Sequence, residues 1–448
     1  MVLEILEAGL RASDPYDSVR QLVRVADGKL LVGGEGTAAR GRQPLAFDLA
    51  RIGRIYVIGG GKAAQRQAKA LEDELGDLIV GGHVNAKKGD TVQLERVGVT
   101  LAGHPIPDED SVAGARKIVE VASEARAGDL VFFSESGGGS ALLTLPAPGI
   151  SLQDLRDLNR LLYFECGASM WDTNAVRNML VVLRQREVRY VGDATFIQIS
   201  TDERPPGLRI HTGQADGQQL SSEAAYEHAI AILRKYGCWE RVAESVRRFL
   251  LAADPRFGPL RSEERARVHH FRATGPERML EAAQAKAREI GLSAAIVASS
   301  LSDVEVRPAG DVFAYMAQEA EIYRRPLDPP CVLLCGGELL VTVGRAGGLG
   351  GRNQEFALSM APRIAGSDRI VAASVDSDGS DGPTEMAGGI VDGGTLARAR
   401  QAGFDIAAEL REHNSGAVLR DLGDAIFTGI RGTNVQDLRV AYVAGRSR

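Results

Sequence analysis

Short apolar runs alternate along the chain with longer stretches in which apolar residues recur every three or four positions. The short runs predict strands at 54–58, 78–84, 130–133, 195–199, 294–299, 332–334, 339–343 and 370–374. The longer stretches predict helices at 62–75, 111–125, 152–164, 222–250, 276–290, 311–323, 353–361 and 394–402. Strand followed by helix, again and again, predicts a mostly parallel sheet with helices on both faces. Residues 252–274 are rich in Pro, Arg and Glu with little periodicity, which marks a boundary or crossover between domains. Three prolines within 326–330 predict a loop inside the later half.

Composition narrows the picture. The 448 residues are 44% apolar, enough for two or three domains with large cores and too apolar for wholesale disorder. A net charge of −6 argues against a nucleic-acid partner, which would call for a basic face. No apolar run approaches the roughly 20 residues that span a bilayer. The opening residues carry acids where a secretory leader needs bases. The four cysteines, at 166, 238, 331 and 335, form no Cys-x-x-Cys pair, and the last two sit in an apolar run that reads as a buried strand. The expectation is a reduced, soluble, cytoplasmic protein.

The 52 glycines exceed the usual share and cluster at predicted strand-to-helix turns. There, in sheets of this kind, ligands bind. The first cluster is Gly59-Gly60-Gly61-Lys62, between a strand and a helix. Backbone N–H groups and the helix dipole favour an anion at such a turn, and Lys62 adds a full charge. A Walker A loop does not fit, because Tyr56 and Ala63 occupy positions that need Gly and Ser/Thr. A dinucleotide fingerprint fits as Gly59, Gly61 and Ala64, but no acid follows the next strand. The second cluster is Glu135-Ser136-Gly137-Gly138-Gly139-Ser140, suited to cradling phosphate or carboxylate. It departs from the Gly-x-Ser-x-Gly elbow at Ser134. The third is the glycine loop 347–351 before Arg352, whose planar fork can grip two oxygens at once. The fourth is Asp376-Ser-Asp378-Gly-Ser-Asp381-Gly. It fails the EF-hand template but could offer one or two carboxylates to Mg²⁺. An Asp/Gly turn without metal fits it equally well. His104, in a Pro-rich loop, reads as a buried, hydrogen-bonded histidine.

Eight motifs, in order, resemble the glycerate 2-kinase family that carries a MOFRL domain, some members of which are called hydroxypyruvate reductases. They are the turn from Gly59 to Ala64, Gly103-His-Pro-Ile-Pro-Asp, Ser136-Gly-Gly-Gly-Ser, Asn174-Ala-Val-Arg177, Gly336-Gly-Glu338, Gly350-Gly-Arg-Asn-Gln-Glu355, Asp378-Gly-Ser-Asp-Gly-Pro-Thr384 and Gly432-Thr-Asn-Val-Gln-Asp437. The resemblance implies an α/β chain of two domains. Residues 1–255 would form a Rossmann-like domain and 256–448 a MOFRL-type domain, with the site in the cleft between them. It implies ATP-dependent phosphorylation of D-glycerate with Mg²⁺. Lys62 and Arg352 match positions regarded as catalytic or phosphate-binding.

Other roles follow from motif and resemblance together. Gly59, Gly60, Gly61, Ser136, Gly137, Gly138, Gly139 and Ser140 would bind the cofactor, and Asp378 and Asp381 the metal. Glu135, Asn174, Arg177, His211 and Asn434 would face substrate. The departures are 181–186, 200–207, 211–214, Glu135 and Arg431, where charge replaces neutral or glycine positions of the family. They remove the family's loop acids, and Asp202 is the substitute for the catalytic one. The expected partner is a small anionic hydroxy acid or sugar acid, with a homodimer allowed. The alternatives are acid–base chemistry on an anionic metabolite (an isomerase or lyase), a non-catalytic metabolite-binding protein, and a hydroxypyruvate reductase.

Overall fold

A computed structural model describes residues 1–34, 43–91, 93–203, 205, 220–302, 304–344 and 346–446. The chain forms two compact units. The first comprises Pro15–Thr201 and Arg209–Ala273; the second comprises Met1–Asp14, Asp202–Leu208 and Thr274–Arg448.

The first unit opens with a small antiparallel sheet of β1 (Val23–Ala26), β2 (Lys29–Val32) and β3 (Leu45–Asp48). Its main sheet contains β4 (Ile55–Gly60), β5 (Ile79–Lys87), β6 (Gly98–Ala102), β7 (Leu130–Ser136), β8 (Thr195–Thr201) and β9 (Val268–Thr274), in the order β6-β5-β4-β7-β8-β9. The pairs from β6 through to β8 are parallel. Alternate residues of β4 feed two cores. Ile55 and Val57 pack with Ala68, Leu71 and Ile199, whereas Tyr56 and Ile58 pack with Ile118, Phe133 and Phe196. Burial on both faces is why the central strands read as unbroken apolar runs. From β4 the chain first steps outward to β5 and β6, then returns to place β7 on the other side of β4. This reversal is the point at which such sheets bind ligands.

The second unit holds β10 (Ser293–Ala298), β11 (Cys331–Gly337), β12 (Ile370–Asp376), β13 (Gly388–Asp392), β14 (Ala425–Ile426) and β15 (Asp437–Val443), ordered β10-β11-β15-β12-β13-β14. Only β10 and β11 pair in parallel; β15 lies antiparallel between β11 and β12. The mostly parallel expectation therefore describes the first unit and not this sheet. Helix Val2–Ala12 packs here too, with Ile5, Leu6 and Leu10 sharing a core with Met279, Leu280 and Leu438.

The compact units do not coincide with a cut after residue 255. Residues 268–274 form β9 and complete the first sheet, and the first helix joins the second unit through its apolar face. The predicted helix 222–250 is two helices, Ser222–Lys235 and Glu244–Ala252, separated where Gly237 turns to a positive φ of 66°. Residues 339–343 form no strand; Leu340 makes only an isolated bridge to Glu305.

Candidate functional site

In the first unit, both predicted glycine turns leave the carboxyl ends of adjacent strands. Gly60 on β4 pairs with Glu135 on β7, and Glu135 pairs with Ser200 on β8. The two turns are stitched together: Lys62 N–H donates to Gly137 O at 2.9 Å, and Ala63 N–H donates to Ser136 Oγ at 2.8 Å. Gly61 has φ +143°, and a Cβ there would lie 2.2 Å from Ser136 Oγ. Gly138 has φ +85°, and a Cβ there would touch His104 at 3.1 Å and the Lys62 stem at 3.2 Å. Both positions therefore demand glycine, and Lys62 and His104 converge over the second turn. The helix Ala64–Leu75 starts directly behind the first turn, and its N-cap residue, Ala63, has no side chain that could cap it. Positive potential and N–H groups thus collect at the reversal point.

A second group borders the same turn. Arg184 Nη1 donates to Glu135 Oε1 at 2.8 Å, and Gln198 Nε2 donates to the other Glu135 oxygen. Arg184 Nη1 also lies 2.9 Å from where a Cβ on Gly139 would sit. Arg184 and the next residue, Gln185, are both left-handed, at φ 57° and 62°. Such backbone costs energy in non-glycine residues and is held in place by its surroundings. Here the Gln185 N–H donates to Glu187 Oε1 at 3.2 Å. Arg177 is buried, donates to Asn174 Oδ1 at 2.8 Å, and stacks over Tyr163. Burial lowers its pKa from the usual value. Ser200 Oγ lies 2.7 Å from His270 Nε2. Asn85, near the end of β5, turns inward and donates to Ser111 O and Leu142 O, so it is not placed as a ribose reader would be.

The second unit draws three motifs together around Arg352. Its guanidinium pairs with Asp437 at 2.9 Å, Asp376 at 2.6 Å and Glu338 at 3.2 Å. Burial alone would lower this group, but the three carboxylates hold it well above its ordinary pKa. Arg439, fully buried, pairs with Asp437 at 2.6 Å and donates to Gly337 O. Asp381 caps the helix Arg352–Ile364 from outside: one oxygen accepts the N–H groups of Asn353 and Gln354, both at 2.9 Å. Burial pushes the Asp381 carboxyl up to about 6 against the pull of Arg352 and these amides. Asp378 accepts from the N–H and hydroxyl of Ser380, at 2.8 Å each, and its own carbonyl takes the Arg431 N–H.

The predicted site residues therefore fall into two constellations. The first unit holds Lys62, Gly59, Gly60, Gly61, Ser136, Gly137, Gly138, Gly139, Ser140, Glu135, Asn174 and Arg177. The second holds Arg352, Asp378, Asp381, Asp202 and Asn434. Asp202 follows β8 directly, and its N–H donates to Thr274 O. Asn434 donates to Glu203 through its side-chain amide. His211 lies outside the described residues. Sequence reasoning did not assign site roles to Arg184, Gln198 and His270 beside Glu135 and Ser200, nor did it pair Asp376 and Asp437 with Arg352. Their partners are distant in sequence, and only the glycine turns gave a local signal.

Among the described residues no group of three or more His, Cys, Asp or Glu side chains is arranged to hold a metal ion. Asp381 has one carboxylate oxygen committed to capping a helix, and Asp378 has one committed to Ser380. Mg²⁺ needs only one or two protein carboxylates when phosphate oxygens complete its shell. No helix among the described residues is long and apolar enough to cross a membrane.

The chain is similar to known proteins along its whole length. A family described as a domain of unknown function (DUF4147) matches residues 1–184, and the MOFRL family matches residues 331–437. The chain is 36% identical to a glycerate 2-kinase of Pyrococcus horikoshii, over 100% of this chain and 99% of that protein. It is 34% identical to a D-glycerate 2-kinase of Thermotoga maritima, over 88% of this chain and 91% of that protein. A crystal structure of a glycerate kinase from Thermotoga maritima superposes with a TM-score of 0.77 at 30% identity, covering 98% of each chain. With relatives this similar over its full length, and with both glycine turns at the reversal point of the sheet, the chain belongs to the glycerate kinase family of small-molecule kinases.

Proposed function

We propose that the enzyme transfers the terminal phosphoryl group of ATP to a hydroxyl of a small hydroxy acid, with D-glycerate the first acceptor to test. The observation that carries this reading is the joining of the β4 and β7 turns, with Lys62 over them. Phosphoryl transfer asks a protein chiefly to position groups and neutralise charge. The N–H groups beyond β4 and β7 and the Lys62 ammonium would hold phosphate oxygens. Arg352, whose three nitrogens pair with Asp437, Glu338 and Asp376, would add positive charge. Asp202, just past β8, is the group proposed to take the acceptor's hydroxyl proton. Mg²⁺ would supply charge neutralisation on the phosphates, with Asp378 the protein group to hold it.

Glu135 has both oxygens engaged, by Arg184 and Gln198, which disfavours it as the free base of an isomerase or lyase. The inward-facing Asn85 likewise disfavours a nicotinamide reductase.

The test is phosphorus-31 NMR of reactions containing ATP, MgCl₂ and either D-glycerate or C3–C6 sugar acids. A new phosphomonoester with one of them is the expected result. Absence of product with every acid, together with a melting temperature unmoved by ATP–Mg²⁺ and raised by NADH, would overturn the proposal in favour of a reductase.

A further inference from the structure

The first unit carries a second piece of chemistry, away from the glycine turns. Cys166 and Cys238 are 72 positions apart in sequence, yet their sulfurs lie 3.0 Å from each other. Each follows the end of a helix and is drawn inward by a wide backbone turn. The Cys166 N–H donates to Leu161 O at 3.0 Å, and the Cys238 N–H donates to Leu233 O at 2.7 Å. Cys166 is partly exposed and Cys238 is buried. Arg241 Nη1 lies 3.7 Å from the Cys166 sulfur, and its other terminal nitrogen pairs with Glu165. The remaining cysteines, Cys331 and Cys335, are both buried in β11; their thiols contact backbone carbonyls, and Arg439 also lies against Cys335.

We propose that Cys166 and Cys238 are an oxidant-responsive thiol pair, in which Cys166 reacts with a hydroperoxide and Cys238 resolves it to a disulfide. The asymmetry assigns the roles. Reactive thiols are accessible and lie beside a cation, and resolving thiols wait next to them. Burial, then the neighbouring Cys166, pushes the Cys238 thiol up to about 12, so it keeps its proton while Cys166 reacts. In the first step the Cys166 thiolate attacks one peroxide oxygen, the O–O bond breaks, and hydroxide leaves and is protonated to water. Cys166 is then a sulfenic acid. In the second step the Cys238 sulfur attacks the Cys166 sulfur, the S–O bond breaks, and the hydroxyl departs as water with the Cys238 proton. Two thiols lose two electrons in total, and hydrogen peroxide is reduced to two waters. The sulfurs need only close from 3.0 Å to bonding distance, about 2 Å. Thiol reductants would reverse the change, as is usual for disulfides formed in a reducing compartment.

The test uses the full-length chain, reduced, desalted and exposed to hydrogen peroxide in slight excess. It is then unfolded, alkylated and digested for mass spectrometry. The expected product is a peptide pair joined through Cys166 and Cys238, two hydrogens lighter than the separate peptides, with Cys331 and Cys335 fully alkylated. In parallel, Cys238→Ser, checked for an unchanged circular dichroism spectrum, should trap Cys166 as a sulfenic acid that dimedone labels, while the unsubstituted chain labels at least tenfold less. Alkylation of both Cys166 and Cys238 after oxidation would overturn the assignment. So would oxidation confined to β11, or equal dimedone labelling of the two proteins.

Discussion

Arg352 offers a sharp test, because its charge is shared among three carboxylates. Asp376 and Asp437 are almost fully buried, with side-chain exposures of 2% and 0%. In Arg352→Ala, Asp376 loses the cation at 2.6 Å, and Asp437 keeps Arg439 and the Asn353 side-chain amide. Removing one partner of a buried ion pair costs about 3–5 kcal/mol, because the remaining charge stays out of water. For a unit of this size each kcal/mol moves the melting temperature by about 2–4 °C, so a drop of roughly 6–20 °C is expected. The assay is differential scanning calorimetry of the purified variant beside the unsubstituted chain. Arg352→Met combined with Asp376→Asn should lose less than the two single substitutions summed, because the double change removes charge of both signs. A melting temperature for Arg352→Ala within 2 °C of the starting protein would refute the claim that these carboxylates depend on it. The calorimetry also guards the functional reading: loss of turnover in Arg352→Ala is evidence of a role in transfer only at temperatures where the variant remains folded.

Further outcomes follow from other positions. Lys62→Ala should lower kcat/KM by about 10²–10³, as expected when one preorganised charge is removed from a transferring phosphoryl group, and undiminished turnover would strip Lys62 of that role. Gly61→Ala must place a Cβ 2.2 Å from Ser136 Oγ at φ +143°, so it should cost at least about 1–3 kcal/mol in urea melts and weaken ATP–Mg²⁺ binding. His83, hydrogen-bonded to Thr100 at 2.8 Å, is held down to about 4, first by burial and then by Lys117. The unfolded chain takes up this proton below about pH 6.5 and the folded chain only near pH 4. Its contribution is therefore complete above pH 6.5 and drains away, by up to about 3 kcal/mol, as pH falls toward 4. A His83→Gln variant should show a shallower acid limb in stability-versus-pH curves, and an unchanged limb would exclude the effect.

Much of the first sheet was legible because its central strands are buried on both sides. Ile55 and Val57 serve one core while Tyr56 and Ile58 serve the other, which leaves an unbroken apolar signature. Edge elements carry no such signature. The half-buried β9, with His269, His270 and Arg272, looks polar in sequence and was read as a boundary. The strands of the small sheet are only four residues each, too short to establish a period. The glycine turns were legible because the chemistry of a tight turn is local. The setting of Arg352 was not, since Asp437 is 85 positions away and no spacing rule connects them. Asp381 caps a helix, a role that a cluster of carboxylates does not announce in sequence. The clue to its capping role lay elsewhere: Gly351, at the start of the helix, has no side chain with which to cap it.

Helix Val2–Ala12 ties together distant parts of the second unit. Its apolar face rests on Met279 and on Leu438. A Cβ on Gly9 would stand 2.6 Å from Leu438 Cδ2, so the fit leaves no slack. Segments far away in sequence must therefore be in place before this amphipathic helix can bury its apolar side, which makes its docking a long-range, late event in the folding of the second unit.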